Sequence, residues 1–212
     1  MSKARRLAKV RPYHHGDLQR TLIEAALALV TEEQDWTFSL REVARRAGVS
    51  HNAPYNHFPE KQDLLIAVAA AGFEILRDRM RAATGAIASA DKALLVCGKA
   101  YIECALENPA LYRLMFGPAL TKSMGSRPGT ARSAGDNAKA VLAEIIQRGA
   151  RSGTFAVSSD DPADQAKAVL VAWSVVHGLT MLLLDDLAEA NLTIDDLVKE
   201  IERTVLWGLL PR

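Results

Sequence analysis

Residues 38–65 read FSLREVARRAGVSHNAPYNHFPEKQDLL, and their order decides the fold. Phe38-Ser39-Leu40-Arg41-Glu42-Val43 is a helix start. The Ser39 hydroxyl can cap the backbone, Glu42 stands three residues on to complete a capping box, and Phe38 can staple onto Val43. That helix, Ser39 to Arg46, ends near Ala47-Gly48, where Gly48 is free to take the left-handed cap conformation. Ser50 can cap a second short helix running to His57. Two short helices joined by a tight glycine-containing turn form a helix-turn-helix. The first braces against a nucleic-acid backbone and the second is presented to the major groove. A plain helical hairpin has the same outline, so the side chains carry the reading. Ser50, His51, Asn52, Tyr55, Asn56 and His57 are short or flat hydrogen-bonding groups, suited to base edges and phosphate oxygens. The amide end of their helix also favours an anion. Arg41, Arg45, Arg46 and Lys61 flank them with positive charge, while Ala44, Val49 and Phe58 should pack the little core. Pro54 lacks an N–H, but it falls in the first turn, where the loss costs least.

Outward from this stretch almost everything reads as helix. Leu18, Leu22, Ala25 and Leu29 form one apolar stripe before it. After it, Pro59-Glu60-Lys61 opens a long helix with acid at its positive end, running through Leu64, Leu65, Val68, Phe73 and Leu76 toward Thr84-Gly85. A helix over about Ser89 to Glu107 follows, broken by Asn108-Pro109, with Pro109 starting the next short one. Gly117 to Gly135 is rich in Gly, Ser, Pro and Thr and reads as a loop or mobile lid. Helix resumes from about Asp136 to Arg151. Asp161-Pro162 opens another, and Thr193 with Asp196 caps the last. No strand pattern or internal repeat stands out. The expected fold is all-α: a basic arm over 1–15, a three-helix helix-turn-helix domain over 16–76, and a larger helical domain over 77–212, to which the resemblance given below adds effector binding and dimerisation.

Composition bounds the function. The 212 residues are 49% hydrophobic and 24% charged, with a formal net charge of only +1. Charge is uneven. The first twenty residues carry Lys3, Arg5, Arg6, Lys9, Arg11 and Arg20 against Asp17, while acids gather near the end. Such a front reads either as a surface for a polyanion or as a solvated arm. Cys97 and Cys104 lie two helical turns, about 10 Å, apart, poor disulfide geometry. They read as small buried hydrophobes in a reducing compartment. No CxxC or Cys/His cluster suggests a metal. His14-His15 are adjacent, so on a helix they do not face each other, and a phosphate-contacting or capping role suits them better than a metal. No apolar core follows the N-terminal charges, so no signal peptide is expected and the protein is expected in the cytoplasm. The run Ala168 to Leu184 is free of charge but shorter than the ~20 residues that span a bilayer, and it holds Ser174, His177 and Thr180. A helix buried in protein is expected there, with no membrane partner. No nucleophile elbow, P-loop, metal cluster or carboxylate pair supports an enzyme, and no cofactor is expected.

That charge-free helix is apolar all round. Ala166, Leu170, Trp173, His177 and Leu184 make one face, and Ala172, Val175, Leu179 and Leu182 another. A helix apolar on both sides must be covered on both. The last helix, through Ile194, Leu197, Ile201 and Val205, can share the second face in a homodimer built from the last two helices. Two heads related by such a dyad would fall ~34–36 Å apart, one turn of DNA.

The S-L-R-E-V-A start, the A-G-V-S turn, Tyr55-Asn56-His57-Phe58 and Lys61-x-x-Leu64 together resemble the DNA-binding region of the TetR (tetracycline-repressor) family, over roughly Arg20 to Phe73. The resemblance implies phosphate contacts from Tyr55, His57 and Lys61, and base or groove contacts around Arg41, His51, Asn52 and Asn56. Pro54 departs from the commoner residue at its position. Trp173, His177 and Gly178 form W-x-x-x-H-G, similar to the C-terminal region of one TetR subfamily, as are Glu107-Asn108-Pro109-Ala110-Leu111-Tyr112 and Met115-Phe116. This implies a pocket for a small apolar or amphipathic effector of unknown identity. Its candidate lining is Tyr101, Cys104, Leu111, Tyr112, Met115, Phe116, Phe155, Trp173, His177 and Met181, a set that reads equally as plain core. His177 is the polar group best placed to orient a ligand. The implied function is a ligand-responsive transcriptional regulator, a repressor that binds a double-stranded palindromic DNA operator as a dimer and is released by a small molecule.

Overall fold

Helix α1 (His15–Glu33) opens the computed structural model, which describes residues 15–117, 120, 129–188 and 193–201, with side chains from Leu18 onward. The basic arm, the side chains of His14-His15 and Val205 lie outside the described residues. The stripe of α1 is buried as its spacing requires: Leu22, Ala26, Leu29 and Val30 are all but inaccessible. Helix α2 (Leu40–Arg46) starts where the Ser39 hydroxyl accepts the Glu42 N–H at 3.2 Å. It stops at Gly48, whose φ of +69° is the left-handed conformation glycine adopts without strain. The Val49 N–H then returns to the Ala44 carbonyl at 3.0 Å.

The second helix of the motif differs from expectation. Instead of spanning Ser50 to His57, it is a single 3-10 turn, Ala53–Asn56, preceded by the non-helical turn of residues 50–52. Pro54 is the physical reason. It supplies no N–H to a longer helix, and its ring is buried beneath the turn, while its carbonyl accepts from both His57 and Phe58 at 3.0 and 2.8 Å.

Helix α3 (Lys61–Thr84) is capped reciprocally by Glu60 and Asp63. Its 24 residues make a rod of about 36 Å. Leu64, Leu65 and Val68 belong to the head's core, and Phe73, Leu76 and Met80 to the second domain. The domain division expected at 76 therefore falls within one continuous helix. Around the far half of α3 pack α4 (Ala90–Glu107), α5 (Pro109–Phe116) and α6 (Thr130–Arg151), while α7 (Pro162–Leu184) lies on α4 and α6 and α8 (Ile194–Ile201) on α4. Among the described residues these eight helices are α, the Ala53–Asn56 turn is 3-10, and no strand occurs.

Residues 130–135 are helical, not loop. Ala131 and Ala134 continue inward the stripe of Ala138, Val141, Leu142 and Ile145, and the Phe73 ring packs over Gly135, 3.5 Å from where a Cβ would stand, an ordinary contact distance. Packing on α3 outweighs the weak helix propensity of this stretch. At 23 residues and mean hydropathy 1.7, α7 is the one helix among the described residues long and apolar enough to cross a bilayer, so shortness is not what argues against a span. Here one face of it, Ala168, Val169, Ala172, Val176 and Thr180, is buried in the domain. Ion pairs stitch the helices: Arg79 with Glu107, Arg81 with Glu144 at 3.2 Å, and Arg113 with Asp185 at 2.7 Å.

Candidate nucleic-acid interface and ligand cavity

The head presents its polar set outward. Arg41, Arg45, Ser50, His51, Asn52, Tyr55 and Asn56 are exposed, and His57 and Lys61 are half-buried. Val43, Ala44, Pro54 and Phe58 lie buried beneath them. Tyr55, 47% exposed, is a large ring that folding has not covered, as a phosphate- or groove-facing group requires. Arg46 does not join this surface, because Glu32 of α1 grips its guanidinium through both oxygens. Its task is to brace α2 against α1. The Lys61 ammonium sits 5.1 Å above the Phe38 ring, and this partial burial lowers its pKa against the opposing pull of Asp35. Lys61→Ala is therefore expected to do two things. It costs about 0.5–1 kcal/mol of stability from the cation–π contact. It also weakens DNA binding about evenly across sequences and reduces the salt slope by about one. Gel shifts at several salt concentrations measure this, and an unchanged slope removes Lys61 from the phosphate set.

The second domain encloses a cavity of about 420 Å³ among α3, α4, α5, α6, α7 and α8. Of the ten residues expected to line a pocket, Tyr101, Met115, Phe116 and Trp173 do so. Tyr112 and His177 stand behind that wall, bonded to Tyr101. Leu111 packs instead toward Gly72 of α3, Phe155 is buried against Gly149, and Cys104 and Met181 are half-buried away from the lining. The lining that sequence reasoning missed comes from α3 (Phe73, Leu76, Met80) and from α6 (Arg132, Asp136, Lys139, Leu142). The signal for α3 was present: its apolar stripe continues well past the head. On α6 only Arg132 was hidden by reading 130–135 as loop; Asp136, Lys139 and Leu142 lay on an expected helix whose inward face the sequence did not assign to a pocket.

Among the residues assigned to a dimer face, Ala172 and Ile201 point into the cavity. Val175, Leu179 and Leu197 are half-buried, and Leu182 is exposed. The helical phase explains the error over Ala172. With Ala168, Val176 and Thr180 it makes an inward row at four-residue spacing, which leaves Leu170 and Val171, 57% and 56% exposed, on the outer side with Leu182. Both cysteines are free, Cys97 in the cavity wall with its thiol pushed up to about 12 by burial.

Behind the cavity is a polar cluster. The Tyr112 hydroxyl is 2.6 Å from His177 Nδ1, the Tyr101 hydroxyl is 2.8 Å from that of Tyr112, and Trp173 Nε1 donates to Tyr101 at 3.4 Å. Burial holds Tyr101 near 12 and Tyr112 higher still, so both keep their protons and can donate. A protonated hydroxyl can donate to Nδ1 or accept from it, so the tautomer of the neutral His177 ring sets the direction of these bonds. Burial lowers the His177 pKa below its ordinary 6.5. The folded state thus favours neutral His177, and its contribution is intact above about pH 6.5 and lost as the pH falls through the lowered value. The melting temperature should fall between pH 7.5 and 5.5, and His177→Gln should flatten that fall. Parallel curves for the two proteins would contradict the assignment.

A helix-turn-helix head on a rod leading to a hollow helical domain defines a DNA-binding transcription regulator. Residues 22–68 match the bacterial regulatory proteins of the tetR family, and residues 94–204 match the tetracyclin repressor-like C-terminal domain. The chain belongs to the TetR family, whose members are non-enzymatic DNA-binding regulators that work as dimers. It is similar to a solved protein of unknown function from Rhodococcus sp. RHA1, at 30% identity over 95% of this chain and 100% of that one, with a TM-score of 0.76. A TetR-family regulator from Mesorhizobium loti shares the fold at 18% identity, covering 94% and 100%, with a TM-score of 0.71. So does the fatty acid degradation regulator FadR from Bacillus halodurans, at 17% identity, covering 92% and 97%, with a TM-score of 0.67.

Proposed function

We propose that this protein is a ligand-responsive repressor of the W-x-x-x-H-G type, which grips a palindromic operator as a homodimer and leaves it when a small apolar or amphipathic molecule enters the second domain. One observation carries the reading: the cavity and the DNA-reading head share a helix. Phe73, Leu76 and Met80 of α3 line the cavity, while Leu64, Leu65 and Val68 of the same helix belong to the head's core. A ligand that favours one setting of α3 changes the separation of two heads, provided it binds that setting more tightly than the other. At Gly72 of α3 a Cβ would lie 2.7 Å from the Met115 sulfur, so α5, which carries the cavity residues Met115 and Phe116, bears directly on the rod.

Gly98 tests the reading. It lines the cavity from α4, and the nearest atom to a Cβ there is a Val176 methyl at 3.9 Å, so a larger side chain has room to enter. DNA fragments captured by the purified protein, titrated with a panel of apolar and amphipathic metabolites, should be released at least tenfold by some members. Gly98→Phe should abolish that response while leaving dimer formation intact. Release that survives Gly98→Phe, or no release by any member, would count against the cavity as an effector site.

A further inference from the structure

The cavity wall is apolar with four charged exceptions: Lys99 from α4, and Arg132, Asp136 and Lys139 from α6. Arg132, Asp136 and Lys139 are exposed and Lys99 is half-buried, so these charges stand at the rim of an otherwise apolar hollow. Lys99 is matched from outside the cavity. Its ammonium lies 2.5 Å from Asp195 of α8 and 3.8 Å from Glu103. The Asp195 bond keeps it firmly protonated. Lys139 lies 3.7 Å from Asp136. About one and two turns beyond Asp195, Val198 and Ile201 of α8 enter the lining, so the Lys99–Asp195 pair latches the element that covers this part of the hollow.

We propose that the cavity takes a carboxylic acid with an unbranched apolar chain of about a dozen carbons, and that its carboxylate takes Lys99 from Asp195. The proposal rests on the reading of this cavity as the effector site. Size bounds the chain. At about 420 Å³ the hollow falls in the range of roughly 300–1,000 Å³ typical of small-molecule sites, which admits a medium-length chain such as that of dodecanoate. The chain would lie against Leu76, Met80, Leu94, Phe116 and Trp173, with Arg132 and Lys139 adding positive potential to the wall. The exchange at Lys99 is cheap because both partners of the existing pair are substantially exposed, 37% and 65% by side chain. It is also directional. A carboxylate replaces Asp195 like for like, an ester leaves Lys99 with Asp195, and an amine meets three cations. Asp195, once released, no longer holds α8 to α4.

The test uses the full-length protein with dodecanoate, methyl dodecanoate and dodecylamine, followed by calorimetric titration. Dodecanoate should bind at least tenfold more tightly than the ester or the amine. Lys99→Met, and Lys99→Gln as a second variant, should erase that preference, so that acid and ester bind alike in each variant. Asp195→Asn, which removes the competitor, should tighten dodecanoate several-fold. Equal binding of acid and ester, no binding of dodecanoate, or a preference that survives both Lys99 variants would overturn the proposal. Release of captured DNA by an uncharged molecule, blocked by Gly98→Phe, with dodecanoate inert, would overturn it while leaving the effector reading standing. Loss of every Gly98-sensitive response would remove both.

Discussion

Val171→Asp combined with Leu182→Asp makes the protein monomeric and lowers its affinity for operator DNA by about a hundredfold or more. Leu170, Val171, Ser174, Gly178 and Leu182 recur along the outer side of α7, and all are exposed while the opposite row is buried. Leu170, Val171 and Leu182, at 57%, 56% and 47% exposure, give one side of α7 an uncovered apolar face, a surface meant to be covered. In a two-fold dimer this face meets its own copy, so each substitution acts twice. Aspartates there would be buried next to one another without counter-charge, which a dimer cannot tolerate. Each head keeps its own contacts, and what disappears is the gain from tethering two heads to one operator. Sedimentation and gel shift on the same preparation separate the two effects. A double variant that stays dimeric and binds normally would move the interface off α7.

The largest stability effect is expected at Gly149→Val. The Phe155 ring lies directly on the Gly149 Cα, where a Cβ would overlap the ring carbons. The Phe155 N–H donates to the Gly149 carbonyl at 3.1 Å, and the ring is 2% exposed. A side chain at 149 must therefore expel Phe155 from the end of the α6–α7 core. Losing a buried phenylalanine costs about 3–5 kcal/mol. For a chain of this size each kcal/mol lowers the melting temperature by roughly 2–4 °C, which gives a fall on the order of ten degrees. Phe155→Ala should fall by a similar amount. In that background Gly149→Ala should be close to neutral, because the atoms it would strike are gone. A Gly149→Val protein that melts like the parent would show that the ring can leave without loss.

Which parts of this were legible in the sequence follows from which signals are local. Ser39 and Asp161 through their side chains, Gly48 through its positive φ, Pro59-Glu60-Lys61 through its acid at the helix start and Pro109 through its fixed φ each mark a helix end locally, so the boundaries of α2, α3, α5 and α7 could be read directly. The exposed set from Arg41 to Asn56 followed from polar residues sitting on a known small frame. The shortened second helix of the motif was half legible, since Pro54 announced a constraint whose result depended on tertiary burial of its ring. The cavity was less so. Tyr101, Met115, Phe116 and Trp173 were found, but aromatic and Met residues at helical spacing look alike in a wall and behind one, and Tyr112 and His177 proved to be behind. The start of α6 depended on contact with Phe73, fifty-seven and more residues earlier in the chain, which no window on 130–135 contains. The phase of α7 was misjudged because every face of it is apolar, leaving periodicity nothing to report.

The central claim is that two identical heads act as one reader. Capture of genomic fragments by the purified full-length protein, followed by sequencing and footprinting of the enriched sites, tests it most directly. The account predicts an inverted repeat whose half-sites lie one helical turn, or a whole number of turns, apart, and whose protection is lost with Val171→Asp and Leu182→Asp. Enrichment without a shared motif, or single half-sites protected equally well by the monomeric variant, would contradict it.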